Sequence, residues 1–186
     1  MKSAVNCGSR IFFAKYMTLR IALGDWDTQK PEAQAIRYTV FVLEQKVPLE
    51  MEWDEMDAQC LHAVAFVPDG EGGERAVGTG RLLPDGHIGR MAVHQEARGS
   101  GVGAALLLAL MQQAQQRGDS QVELSAQTHA EAFYARYGFV REGEHYEDAG
   151  IPHVRMRYVF RCAPSMGAIL EVQVLPQADH SERSEA

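Results

Sequence analysis

Ile88–Arg117, IGRMAVHQEARGSGVGAALLLALMQQAQQR, decides the fold. Ile88–Val93 is a short run with β-branched residues at both ends, a strand pattern. After it, Arg98-Gly99-Ser100-Gly101-Val102-Gly103 puts three glycines in five positions. Val102, Leu106, Ala109, Leu110 and Ala114 then fall on one face of a 3.6-residue period, which predicts a helix stopped by Gly118. At a helix start the first backbone N–H groups have no helical partner, and the positive end of the dipole lies there. Glycines let an anion approach those donors without a Cβ in the way. Arg98 adds a planar cation at the entrance of the loop. The segment reads as a cradle for a pyrophosphate; the plainer alternative is a tight turn whose glycines serve geometry alone.

Two familiar phosphate loops fit poorly. A nucleotide-triphosphate loop ends in Gly-Lys-Ser/Thr, whereas Ala104 and Ala105 follow Gly103. A dinucleotide turn is formally spelled by Gly99, Gly101 and Ala104, but it should follow its strand directly, and His94–Arg98 intervene after Val93.

Composition narrows the class. The 186 residues, 46% of them hydrophobic, suffice for one globular domain with a core. A net charge of −7 without a basic run argues against nucleic acid and suits a cationic substrate. Cys7, Cys60 and Cys162 are few and widely spaced, with no metal-ligand pattern, which predicts reduced thiols, no metal site and a cytoplasmic protein. No apolar run is long enough for a membrane, and the first residues lack a signal-peptide core.

Residues 1–16 have no clear period and read as an extension; a domain is expected over 17–161. Thr18–Leu23 predicts a strand, and Asp27 or Thr28 a cap for a helix that carries Ala33, Ile36, Val40 and Phe41 on one face. In Pro48–Gln59, five acids (Glu50, Glu52, Asp54, Glu55 and Asp57) crowd into eight positions. They predict either a solvated loop or an electronegative lip for an amine. Leu61–Val67 is apolar on both faces and reads as an interior strand; Arg75–Leu83 is the next. Ser120–Ala126 completes a strand–helix–strand unit, which favours parallel pairing. Ala130–Tyr137 predicts a short helix, and Phe139–Glu144 and His153–Phe160 two closing strands joined by a loop over Tyr146–Pro152. The expected class is α/β: a mixed, partly parallel central sheet with helices on both faces. In the C-terminal extension, 162–186, Leu170, Val172 and Val174 alternate as an added strand over 168–175 would, ahead of a polar tail. Such a strand suits a sheet edge or a homodimer interface.

Two separated motifs resemble the GNAT acetyltransferases. Arg98, Gly101 and Gly103 match the Q/R-x-x-G-x-G/A loop that holds acyl-CoA, and Ala130, Tyr134 and Gly138-Phe139 match the A-x-x-x-Y-x-x-x-G-F helix. Phe41-Val42-Leu43-Glu44-Gln45, Asp54 with Asp57, His62, Gly89-Arg90-Met91-Ala92-Val93, Ala126-Gln127 and Gly150-Ile151-Pro152-His153 with Met156 are similar to the ElaA-like branch, over roughly Thr18–Phe160.

The resemblance implies an acetyl-CoA-dependent N-acetyltransferase in which a primary amine attacks the thioester directly. It implies a pantetheine arm along Met91, Ala92 and Val93, and a pyrophosphate on Arg98, Gly99, Ser100, Gly101, Val102 and Gly103. Tyr134 is the implied acid for the leaving thiolate, or else a residue packed on the sulfur. Glu44 and His62 are the candidate bases, each with a plainer structural reading, and His129 and His153 are weaker ones. Gln127 stands where many members carry a pantetheine-binding Asn; it offers the same amide on a longer stem. The rival reading is a CoA-binding sensor or assembly module with little catalysis; a nucleotide-dependent oxidoreductase is more distant.

Overall fold

A computed structural model describes residues 19–161. The predicted extensions over 1–16 and 162–186, the strand over 168–175, Cys7 and Cys162 lie outside them. The chain forms β1 (Arg20–Gly24), α1 (Trp26–Arg37), α2 (Leu49–Glu52), β2 (Leu61–Pro68), β3 (Glu74–Leu82), β4 (Ile88–Val93), α3 (Val102–Arg117), β5 (Gln121–Gln127), α4 (Glu131–Ala135), β6 (Val140–Asp148) and β7 (Ile151–Val159). A π-helical turn, Tyr38–Glu44, continues α1, and a 3₁₀ turn, Glu55–Gln59, precedes β2.

The strands make two antiparallel sheets, ordered β1-β2-β3-β4 and β5-β7-β6. They meet where β4 and β5 run parallel, at the single bridge between His87 and Glu123, beside a 3.2 Å hydrogen bond from Glu123 N–H to Gly86 O. The parallel step expected from the strand–helix–strand unit is therefore one bridge long. Beyond it β4 and β5 border different sheets and a cleft opens between them.

Both faces of the first sheet are covered. Ala63 and Ala65 of β2 join the core under α3, while Val64 between them packs with Ala33, Ile36 and Val40 of α1 and the turn after it. The period of two thus buries both sides of an interior strand. The core face of α3 is the one its sequence period marks, with Val102, Leu106, Ala109, Leu110 and Ala114 buried. It sits close because Gly78 of β3 has no side chain: a Cβ there would lie 2.9 Å from Val102 Cγ1 and 3.2 Å from Ala92 O. The cap of α1 is Asp25 rather than Asp27 or Thr28; its carboxylate accepts from Thr28 N–H at 3.0 Å and from the Thr28 hydroxyl. The expected loop Tyr146–Pro152 is mostly strand, because Ala149 and Gly150, at φ +50° and +75°, turn β6 into β7 in two residues.

The acidic segment Pro48–Gln59 becomes a structural joint. Arg37, 1% exposed at the end of α1, donates to Glu52 Oε1 at 2.5 Å, Asp57 Oδ1 at 2.8 Å and Glu52 O at 2.8 Å. Arg81 of β3 donates to Asp57 at 2.6 Å and grips Asp54 with two bonds of 2.7 Å. Arg90 of β4 reaches the carbonyls of Met51 and Glu52 at 3.2 and 3.3 Å and Asp54 Oδ2 at 3.2 Å. Three guanidinium groups therefore face three carboxylates across α1, α2, β3 and β4. Burial pushes the Glu52 carboxyl up against the pull of Arg37 and Arg90, whereas the hydrogen bonds from Arg81 hold Asp54 below its ordinary value. Only Glu50 and Glu55 of the five acids lie outside this network and face solvent as a charge run usually does. Removing one partner of a buried ion pair strands the other, so Arg37→Ala is expected to lower stability by about 3–5 kcal/mol in urea unfolding. A change below about 1 kcal/mol would show that Glu52 and Asp57 need no partner there.

Candidate active site

The opening between β4 and β5 is a cleft of about 430 Å³, lined from β4 by Gly89–Val93, from β5 by Leu124, Ser125 and Gln127, and from α4 by Tyr134. Its far side is closed by Phe41, Gln45 and Met51 and by the β6–β7 turn with Asp148 and His153. The strand edges facing it carry peptide groups that lack a neighbouring strand along the cleft, and such groups call for a hydrogen-bonding ligand or water.

On β4 the register slips. Thr79 faces Ala92 and Arg81 faces Gly89, so Arg90 and Met91 together oppose Gly80. This is a β-bulge, and Arg90 in it has φ +50°, a left-handed conformation that L residues avoid. Its side chain is tied to Met51, Glu52 and Asp54, so the arginine network holds the bulge that shapes the cleft wall. Strain of this kind, of order 1–3 kcal/mol, persists where surrounding contacts fix it and is concentrated at functional sites. Arg90 and Arg81 carried no site reading from sequence; the only hint was that Arg90 and Asp54 stand among the branch-like residues.

The glycine loop opens beside the cleft. Gly99 and Gly101 have φ +72° and +92°, and nothing lies within 4 Å of where their Cβ atoms would be. Gly101 is the residue before α3, and no side chain caps the helix. The first N–H groups of α3 are thus left for solvent or an anion. Arg98 arches over the loop: Nε donates to Val93 O at 3.0 Å, while Nη1 and Nη2 donate to the two carboxylate oxygens of Glu44 at 2.6 and 2.7 Å. This fork holds Glu44 below the ordinary carboxyl value, which leaves it a weak base.

Beside Glu44, Gln45 exchanges amide hydrogen bonds with Gln127, at 2.9 Å from Gln127 Nε2 and 3.4 Å from Gln45 Nε2. Two consecutive residues at the end of the π-helical turn thereby reach the loop and the end of β5. Such turns are rare and recur at functional sites.

Tyr134 lies in the cleft wall, 9% exposed, against Phe133 and Phe139. Burial pushes its phenol up to about 12. His62 is elsewhere. It is 1% exposed, its ring packs 4.8 Å from that of Trp26, and Nε2 lies 2.8 Å from Asp57 O. Burial lowers its basicity, and it does not line the cleft. Of the candidate bases, the structure brings His129 and His153 to the cleft in place of His62. Among the described residues no cluster of His, Cys, Asp or Glu could hold a metal, and no helix is long and apolar enough to cross a membrane.

Comparison with known proteins says which class of protein this two-sheet scaffold, parted beside a glycine loop, belongs to: the acyltransferases. The acetyltransferase (GNAT) domain model matches residues 30–160. The uncharacterized N-acetyltransferase YjcF of Bacillus subtilis is 38% identical over 134 residues, 70% of this chain and 92% of that protein. The crystal structure of an acyl-CoA N-acyltransferase from Pseudomonas aeruginosa superposes with a TM-score of 0.65 at 34% identity, covering 75% of this chain and 99% of that one. Escherichia coli ElaA gives a TM-score of 0.65 at 27% identity over the same shares. The chain belongs to the GNAT family of acyltransferases, in its ElaA-like branch.

The raised Tyr134 phenol has a consequence for stability. An acid that binds its proton more tightly when folded contributes stability that is intact below its unfolded value, near 10, and is lost as the pH rises through the folded one, about 12. That gap corresponds to about 3 kcal/mol. Urea unfolding at pH 9, 10 and 11 should show stability declining in the native protein and declining less in Tyr134→Phe. Equal slopes would contradict the burial argument.

Proposed function

We propose that the chain transfers an acetyl group from acetyl-CoA to a primary amine. The observation that supports this most is the pairing of an uncapped, glycine-opened start of α3 with free strand edges on β4 and β5, around Tyr134. Acetyl-CoA supplies the activated thioester. The chain offers donors for each part of it: N–H groups from Val102 onward and Arg98 for the pyrophosphate, and the β4 edge at Met91, Ala92 and Val93 for the amides of the pantetheine arm. Backbone N–H groups at the bulge are suited to polarise a carbonyl, because their direction is fixed before the substrate arrives. Tyr134 would hydrogen-bond the departing sulfur. Acetyl-CoA and a buried, reduced Cys60 both suit the cytoplasm.

Glu44 has a different part in this reading. Its carboxylate occupies the same Arg98 fork that a phosphate would take, so it serves as a stand-in for the ligand. Arg98→Ala should weaken CoA binding by about 10- to 150-fold, the worth of a charged hydrogen bond. Glu44→Gln should leave the fold intact and tighten CoA several-fold in calorimetry. Collapse of turnover in Glu44→Gln without a gain in affinity would return Glu44 to the role of base.

The deciding assay is thiol release from acetyl-CoA with spermidine, kanamycin, an Nα-blocked lysine and a peptide with a free N-terminus. Amine-dependent release supports the transferase; absence of release with all four, with CoA still bound, would leave only ligand binding. Tyr134→Phe should lower kcat by about 10- to 100-fold with CoA affinity nearly unchanged, as expected for one hydrogen bond to a charged leaving group. Unchanged turnover across pH would remove Tyr134 from the chemistry.

A further inference from the structure

The cleft needs a base, and neither Glu44 nor His62 is placed to be one. Three histidines line it: His87, His129 and His153. His129 is exposed, in the 3₁₀ turn Thr128–Ala130, and His87 is part-buried near Asp85. His153 alone is built in. It is 9% exposed on β7, facing Gln127 of β5 on one side and Tyr146 of β6 on the other. The Tyr146 ring stacks on it, with centroids 6.1 Å apart and planes 27° from parallel. Tyr146 is itself fixed, since its hydroxyl donates to Ser125 Oγ at 2.5 Å.

The tautomer follows from one contact. His153 Nδ1 lies 2.7 Å from Ile151 O, and a carbonyl oxygen only accepts, so Nδ1 carries the hydrogen. In the neutral ring Nε2 then holds the free lone pair. A backbone carbonyl that fixes the ring through one nitrogen leaves the other to accept a proton, in a cleft shared with Tyr134 and the β4 bulge.

We propose that His153 is the general base, with Nε2 taking the proton of the acceptor ammonium; this rests on the amine-acetylation reading above. The amine lone pair so released attacks the thioester carbonyl carbon. The C–N bond forms, the C–S bond breaks with its electron pair going to sulfur, the second nitrogen proton ends on that sulfur, and the imidazolium returns its proton to water. Nothing else is consumed. The charged and titratable groups that border the ring by register or share its cleft are Arg155 on its own strand, Tyr146, Glu147 and Asp148 from β6, His129 and Tyr134 after β5, Arg98 before the glycine loop, and across the cleft His87 with Glu52, Arg81 and Arg90, the last three paired within the network of Arg37, Asp54 and Asp57. From β5 the neighbours, Ser125 and Gln127, are neutral. Of the two carboxylates that line the cleft, Glu52 and Asp148, only Asp148 stands outside the arginine network.

The test compares native protein, His153→Gln and His153→Ala with the most active of the four amines, over pH 6 to 10. Expected are a native kcat/KM that falls with slope one on the acid side, a loss of at least 100-fold at pH 7 in His153→Gln, and recovery at high pH as the amine deprotonates unaided. CoA affinity by calorimetry stays within twofold, and added imidazole partly restores His153→Ala. Independently of turnover, ¹⁵N NMR of the ring shows a protonated Nδ1 and a bare Nε2. A native pH profile in His153→Gln, a uniform loss together with loss of CoA binding, or an Nε2–H tautomer each overturns the assignment. Failure of the native protein to acetylate any amine overturns the transferase reading and the base with it, whereas native turnover indifferent to residue 153 removes the base alone.

Discussion

Everything at this site follows from two parallel strands that touch once and then part. A continuous sheet would satisfy the peptide groups of β4 and β5 with each other and leave no room for a substrate. Pairing ends after His87 and Glu123, so both strands show an open edge to one cleft. The opening is stable because each strand is paired on its other side, β5 with β7 along its whole length and β4 with β3 on both sides of the bulge. The 16-residue α3 spans from one strand to the other and brings its uncapped start to the wide end of the cleft. One topological decision therefore sets out an elongated binding surface: backbone edges along its length and helix N–H groups at one end.

The arginine network keeps that surface in shape. Arg90 must hold a left-handed backbone, and a flexible side chain alone would give no reason for it to do so. Its bonds to the carbonyls of Met51 and Glu52 and to Asp54 fix it to the α2 segment, which Arg37 in turn ties to α1. Buried ion pairs are poor sources of net stability but costly to break, so they act as joints more than as glue. They also cancel the charge. Three of the five acids that look like a lure for amines on paper, Glu52, Asp54 and Asp57, are matched by three guanidinium groups, which leaves only Glu50 and Glu55 unmatched at the surface.

The sequence carried the fold well where one short-range rule decided it. The β4–loop–α3 unit, the two-faced burial of β2 and the glycine stop at Gly118 all follow from local period and backbone conformation. Three things were beyond such rules. The parting of β4 and β5 depends on what each strand finds on its other side. The fate of Pro48–Gln59 depends on Arg37, Arg81 and Arg90, whose bonds to it reach across up to 39 positions of the chain and form only through the sheet. For the same reason Glu44 and His62 were attractive as bases: their residue types suit the task, and only their partners, Arg98 and Asp57 O, disqualify them. The family-like motifs around Arg90 and His153 single out residues that line the cleft without saying what they do.

A free thiol titrates near 8.5, whereas Tyr134 is held at about 12. Complete transfer from this phenol to the leaving thiolate would be uphill by about 5 kcal/mol. Burial, which makes Tyr134 a poor acid, keeps it a neutral hydrogen-bond donor at every working pH. In the proposed reaction its task is to stabilise charge building on sulfur, and the proton that finishes there comes from the nitrogen. The thermodynamic demand then falls on the other end of the cleft, where an ammonium must be neutralised before it can attack. In that reaction the demand suits a largely buried imidazole at the cleft wall with one nitrogen tied to a carbonyl, better than a carboxylate clasped by Arg98 or a histidine sealed against Trp26.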